Sequence, residues 1–454
     1  MTLEHKERAP MASQAAAPLK RAIGTQLLVF FILGDVLGAG VYALAGAIAD
    51  RAGGALWAPL GMALLFALLT AASYAELVSK YPRAGGAAVF ARRAFGSPLL
   101  AFLVGFAMLA AGITSAAGLA LAFAGEYLRV FIDWPSAVLA PLFLVAIALL
   151  NLRGIKESLG ANLVMTLIEL SGLVLVLVAV AVLSGQGHAE PARLLDFGGH
   201  GPGGAVLAGA LLAFYSYVGF ETSANLAEEI KDVRRTYPRA LFGALLIAGV
   251  VYLAIGAGAA LVMPVPQLIA AATPLMDIVH RAQLGVPQGV FAVIALIAVA
   301  NGALLTMIMA SRLAWGMARE GLIPQVLGRV LPQRRTPGYA IVATTALAIL
   351  LTFTGSLQVL AETVVLLLLV VFLSTNLAVL VLKRDKIAEA HFKVPALVPV
   401  LAIASCLLLM SQQPWQNWLR AGVLLALGAV LYGLARWWRP AARERHVEPG
   451  QTPE

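Results

Sequence analysis

Apolar stretches of membrane-crossing length, separated by short polar segments, recur from Gln26 to Tyr432. About 20 apolar residues cross a bilayer as a helix. That measure places twelve spans, near 25–49, 55–79, 98–126, 134–152, 158–184, 204–230, 237–263, 288–314, 337–355, 357–382, 395–411 and 415–437. The pattern predicts an all-α membrane protein. Two of the spans are interrupted at their middles. The first carries Gly38-Ala39-Gly40, beginning three residues after Asp35, and the sixth carries Phe214-Tyr215-Ser216-Tyr217-Val218-Gly219-Phe220-Glu221. Glycine inside a helix weakens it by about 1 kcal/mol. In hydrocarbon an unpaired backbone group costs several kcal/mol, so a broken span persists only where protein, ion or substrate satisfies it. Two breaks at matching places in two halves point to the central binding site of a transporter.

Composition agrees. Of 454 residues 61% are hydrophobic and only 12% charged, against about 25% charged in a soluble chain. The 43 glycines suit close helix packing in lipid. A single cysteine, Cys406, excludes an intrachain disulfide and a cysteine-based metal cluster. No removable signal peptide is expected, because the polar segment Met1–Ala22 leads straight into a full-length span.

The net charge of +9 raises the question of nucleic acid, and its distribution answers it. With alternate loops assigned to alternate sides, all 32 Lys and Arg fall on one side except Arg51, Arg129, Arg193, Arg281 and Arg420. This bias expects both termini in the cytoplasm and an address in the cell membrane, not a nucleic-acid partner. Trp57, Trp134, Trp415 and Trp418 are expected at the outer interface, Trp437 and Trp438 at the inner one. The segment Lys80–Gly96 reads as an interfacial helix with Arg92 and Arg93 toward headgroups. The outer loops 185–203 and 264–287 read as short pieces capping a vestibule.

Within the spans acids outnumber bases. Asp35, Glu169, Glu221 and Glu362 lie deep, Glu76 sits near a cytoplasmic end, and no Lys or Arg is comparably deep. An isolated charge costs at least about 2.5–3.5 kcal/mol there, so each acid holds a proton, binds a cation, lines water or bonds to a neighbouring helix. An acid that gains and loses a proton between two states couples transport to a proton gradient. Unwinding at Gly38, Ala39 and Gly40 exposes amides at the start of a half-helix, which suit a carboxylate. Unwinding near Phe214, Ser216 and Tyr217 exposes carbonyls, which suit an ammonium or metal cation. Together they describe a zwitterionic amino acid, although glycines also serve simple close crossing. Tyr215, Phe220, Glu221 and Glu362, with Thr114, Ser115, Asn301 and Thr306, are further pocket or gate candidates. Such polar residues also tie helices together. No HExxH, GxSxG or GxxxxGK[ST] pattern argues for an enzyme or a nucleotide-driven pump, and no metal or cofactor is expected.

The pattern Gly34-Asp35-Val36-Leu37-Gly38-Ala39-Gly40-Val41-Tyr42 resembles the first span of the amino acid–polyamine–organocation permease superfamily. So do Tyr74-Ala75-Glu76-Leu77 with Tyr81-Pro82-Arg83-Ala84-Gly85-Gly86, and Gly219-Phe220-Glu221 leading to Glu228-Glu229-Ile230-Lys231-Asp232. A fourth match is Ser311-Arg312 with Met317-Ala318-Arg319-Glu320-Gly321-Leu322-Ile323-Pro324. The resemblance implies the leucine-transporter fold: inverted five-helix repeats over about 23–184 and 204–382, spans 1 and 6 unwound, accessory helices over 395–437, and cytoplasmic tails 1–22 and 438–454. It implies alternating access, the substrate's carboxylate on Gly38, Ala39 and Gly40, and its amine on carbonyls around Phe214, Ser216 and Tyr217. Proton-coupled relatives often hold a lysine in the fifth span, where this chain has Glu169. Hydroxyls of a sodium site in the eighth span are replaced by Ala298 and Val299. The expectation is that Asp35 and Glu169 approach one another and share a proton or a cation. A proton-linked amino acid transporter is the leading reading. A polyamine or organic-cation carrier, an amino acid exchanger and a non-transporting sensor are the alternatives.

Overall fold

A computed structural model describes residues 23–437 apart from 39, 84, 154–155, 200, 320–321, 332–333 and 335, and describes 43, 156–159 and 435–437 by backbone only. The two tails, Trp438, Ala39 and the motif residues Ala84, Glu320 and Gly321 therefore lie outside the described residues. The described residues form helices and no strand; one isolated parallel bridge joins Ile23 to Ile230.

The helices are α1 (Thr25–Leu37), α2 (Gly40–Ala52), α3 (Trp57–Lys80), α4 (Gly86–Phe95), α5 (Pro98–Phe123), α6 (Ser136–Arg153) and α7 (Lys156–Gly185). They continue with α8 (Pro202–Tyr215), α9 (Val233–Val262), α10 (Gln288–Arg319), α11 (Gly338–Thr352), α12 (Leu357–Leu382), α13 (Leu397–Ser411) and α14 (Trp415–Trp437). Among the described residues ten helical segments are long and apolar enough to cross a membrane. The ninth and eleventh expected spans, α11 and α13, are apolar but have 15 residues each. At about 1.5 Å per residue they fall short of the hydrocarbon thickness.

Both predicted breaks are present. The first span stops at Leu37 and restarts at Gly40. The sixth leaves α-helix after Tyr215, turns through 216–219, and resumes as a 3-10 helix, Phe220–Glu229. Three turn bonds replace the α ladder there: Ser216 N to Ala213 O, Tyr217 N to Phe214 O and Val218 N to Tyr215 O. The broken spans are also tied to one another where the first begins and the sixth ends: Ile23 N donates to Glu229 O and Lys231 N to Ile23 O.

Two networks close the ends of the bundle. At the end of α2, Arg51 pairs with Glu362 of α12, and Asn417 Nδ2 (2.8 Å) and Gln358 Nε2 (3.3 Å) also donate to that carboxylate. Trp57 Nε1 donates to Leu194 O, and Gly46 lies against the carbonyls of Leu268 and Ala271, so both long loops cover this end. At the other end, Glu76 of α3 accepts from Lys383 Nζ (3.0 Å) and from Val394 N (2.9 Å). That bonding lashes the connection after α12 across the bundle. Arg93, expected toward headgroups, stacks on Tyr81 at 4.0 Å and pairs with Asp385 of the same connection at 3.0 Å.

Candidate functional site

The two breaks meet. Gly40 faces Ser216 so closely that a Cβ on it would stand 2.7 Å from Ser216 Cα. Gly219 has φ +125°, a conformation side chains rarely adopt, and a Cβ there would lie 2.9 Å from Asp35 O. Only glycine lets the backbones approach at either point. The carbonyls left open at the end of α1 are capped from α9, because Tyr252 OH lies 2.8 Å from Val36 O and 2.6 Å from Leu37 O.

Beside this junction lies an open cavity. Asp35, Gly38 and Gly40 line it from the first span, and Tyr215, Val218, Gly219, Glu221, Thr222 and Asn225 from the sixth. Ser115 of α5 and Thr306 of α10 add hydroxyls, with Met108, Met309 and Leu368 among the apolar wall. Among the described residues the lining contains two carboxyls and no Lys or Arg.

The carboxyls sit in one hydrogen-bonded group. Thr222 Oγ1 is 2.5 Å from Asp35 Oδ2 and 2.8 Å from Gly219 O. Gly219 N donates to Glu221 Oε2 at 2.9 Å. Ser115 Oγ and Tyr215 OH are 3.3 Å apart across the wall.

Several expected candidates lie elsewhere. Phe214, Ser216, Tyr217 and Phe220 are buried but are not in the cavity wall. Phe220 instead stacks on Phe372, and Tyr217 packs on Tyr252. The turn rotates neighbouring residues to the cavity, so Tyr215, Val218 and Gly219 take those places. Thr114 bonds back to Ala110 O on its own helix, while Ser115 lines the cavity. Asn301 faces Thr166, and Glu362 belongs to the closure with Arg51. Ala39 lies outside the described residues. Thr222 and Asn225 were not anticipated.

Asp35 and Glu169 do not approach as expected. Gly34 faces Thr166, Asn162 and Asn301. Asp35, one residue on and turned by about 100°, therefore points to the sixth span instead. Its charged neighbour is Glu221. Glu169 lies behind the first span. Tyr42 OH donates to its backbone carbonyl at 3.1 Å, and its two carboxyl oxygens, fully buried, have no partner among the described residues. The described residues hold no group of three or more His, Cys, Asp or Glu able to ligate a metal.

Comparison with known proteins follows the geometry. A family model described as amino acid permease matches residues 23–424. The chain is 28% identical to the branched-chain amino acid permease BcaP of Bacillus subtilis, over 93% of this chain and 94% of that one. It is 26% identical to the methylthioribose transporter of the same organism, over 93% and 95%. It is 30% identical to the vacuolar cationic amino acid transporter 4 of Arabidopsis thaliana, over 78% of this chain and 62% of that one. A multi-pass membrane transporter, and not an enzyme, is what these matches and the apolar helices describe. The chain belongs to the amino acid permease family of the amino acid–polyamine–organocation superfamily.

Proposed function

We propose that this protein is a secondary transporter that carries amino acids across the cell membrane by alternating access, coupled to proton movement. The observation that carries the proposal is the contact of Gly40 with Ser216 and of Gly219 with Asp35 beside a cavity walled by both broken spans. The amides of Gly38, Ala39 and Gly40 receive the substrate's carboxylate. Its amine meets the carbonyl end of α8 and the acids Asp35 and Glu221. Relatives named for branched-chain and cationic amino acids support this substrate class.

Asp35 and Glu169 carry the proton in this scheme, one at the cavity wall and one behind it. The bias of Lys and Arg toward one set of loops supports both termini lying in the cytoplasm. The twelve apolar helical segments divide into inverted repeats over 23–184 and 204–382 with accessory helices over 395–437. The cavity lining extends from the breaks toward Asn225 and Leu313, which fits a conformer that opens to the cytoplasm while the Arg51–Glu362 end is shut.

The test is uptake of radiolabelled amino acids by reconstituted protein, with and without an imposed acid gradient. Accumulation driven by the gradient is expected. Absence of both uptake and counterflow for every amino acid would refute the proposal. Glu169→Gln, assayed across a pH series, should lose pH dependence; an unchanged profile removes Glu169 from the coupling.

A second reading is a carrier of polyamines or other organic cations, favoured by two carboxyls and no base in the cavity lining. A thermal-shift comparison of amino acids with diamines separates them, because a true substrate at 100 times its dissociation constant stabilises by about 2.7 kcal/mol.

A further inference from the structure

Asp35 is joined to the sixth span through one hydroxyl. Thr222 Oγ1 carries a single proton and has two acceptors in reach, Asp35 Oδ2 at 2.5 Å and Gly219 O at 2.8 Å. It donates to one of them at a time. When Asp35 is a neutral acid, it donates to Thr222, which donates onward to Gly219 O, and a chain of two bonds runs from the first span into the break of the sixth. When Asp35 is ionised, Thr222 turns its proton to the carboxylate. Gly219 O then keeps only the backbone bond from Thr222 N at 3.1 Å. The side-chain link to Gly219 is lost.

We infer that Thr222 is a positioning residue that transmits the protonation of Asp35 to the break of the sixth span, and that holds the carboxylate while its proton is away. The inference rests on the proton-linked reading above. Among the described residues, the surroundings of Asp35 supply no competing cation. From the 3-10 segment Glu221 faces it, an acid already bonded to Gly219 N. From α9 Tyr252 is committed to the carbonyls of Val36 and Leu37. From α7 the nearest titratable group, Glu169, lies on another face of α1, against Tyr42 and Tyr252. From α10 the first-span face meets Asn301 at Gly34 and the cavity wall meets Gly302 and Thr306, none of them titratable. Across the cavity stands Tyr215, bonded to Ser115. An ionised Asp35 without Thr222 would face Glu221 with no side-chain donor.

Net uptake requires Asp35 to shed its proton on the arrival side before the empty carrier returns. Exchange of substrate for substrate does not. The two modes therefore separate a proton relay from a structural contact. The experiment reconstitutes wild type, Thr222→Val and Thr222→Ser, and measures acid-gradient-driven accumulation and exchange at symmetric pH for each. In Thr222→Val the ratio of net uptake to exchange should fall about tenfold, the scale of a lost hydrogen bond to a charged group. Its pH profile of net uptake should move by about one unit, the same factor. Thr222→Ser, which keeps the hydroxyl, should restore both. If Thr222→Val does not insert, Thr222→Ala takes its place with the same readouts.

A Thr222→Val protein with the wild-type ratio and profile overturns the inference alone. So does an equal loss of net uptake and exchange that serine does not rescue. A wild type whose accumulation ignores the gradient overturns the proton-linked reading, and this inference with it.

Discussion

A methyl group added at Gly40 tests the junction on which the site depends. The new Cβ would stand 2.6 Å from Ser216 Oγ, 2.7 Å from its Cα and 2.8 Å from its Cβ. Carbon atoms in contact prefer about 3.5–4.0 Å, so the two breaks must separate by roughly 1 Å. Relief by rotating a side chain is not available, because one of the opposing atoms is backbone. Displacement on that scale typically lowers the rate of a positioned site about 100-fold. Alanine also favours helix over glycine by about 1 kcal/mol, which by itself could harm a break. Initial rates of uptake in proteoliposomes, normalised to inserted protein, should therefore fall about 100-fold for Gly40→Ala. Wild-type rates in Gly40→Ala would refute the argument that the breaks must touch.

Other outcomes follow from the two ends and the acids. Glu362→Ala should destabilise the detergent-solubilised protein by about 2 kcal/mol, below the range for a sealed pair because Arg51 keeps 22% of its side chain exposed. The double variant Arg51→Leu/Glu362→Leu should recover part of that loss, read as a melting temperature above that of the single variant. Glu76→Ala should lower stability by about 2 kcal/mol, because it leaves the buried Val394 N–H unbonded and takes the carboxylate from Lys383, which keeps only Val394 O and solvent. The Tyr81 hydroxyl and the Arg93 guanidinium hold Asp385 below the usual carboxylate range. A depressed folded-state value means that its contribution is complete above about pH 4 and is lost only as pH falls through the folded value. The melting-temperature difference between wild type and Asp385→Asn should thus be the same at pH 5 and pH 8.

The breaks were legible in the chain because they fall at matching places in two halves, and the apolar runs marked the helical segments to within a few residues. Which side chains face the cavity was less legible. A period of 3.6 misplaces residues wherever the ladder changes. Beyond the turn the sixth span is a 3-10 helix, whose residues repeat every three positions. Gly219, Thr222 and Asn225 have that spacing and all line the cavity. The spacing was visible, but nothing local announced that the helix would tighten. The pairing of Asp35 with Glu169 failed for a related reason. Depth in the membrane can be counted along a span, whereas azimuth depends on which neighbour the adjacent glycine admits. Gly34 admits α7, and so Asp35 turns to Thr222. The ties of Glu362 and Glu76 depend on partners more than 300 residues away in the chain, and no local pattern encodes them.

The helix α12 is fastened near both its ends, by Glu362 to Arg51 and by Lys383 to Glu76. A rod anchored at two points transmits tilt instead of absorbing it. If the upper half of the first span swings aside to admit solute, the pull on Arg51 reaches the opposite surface of the membrane through a single rigid lever. Opening of one mouth and the grip of the far lashing are then mechanically one event, with no messenger needed between them.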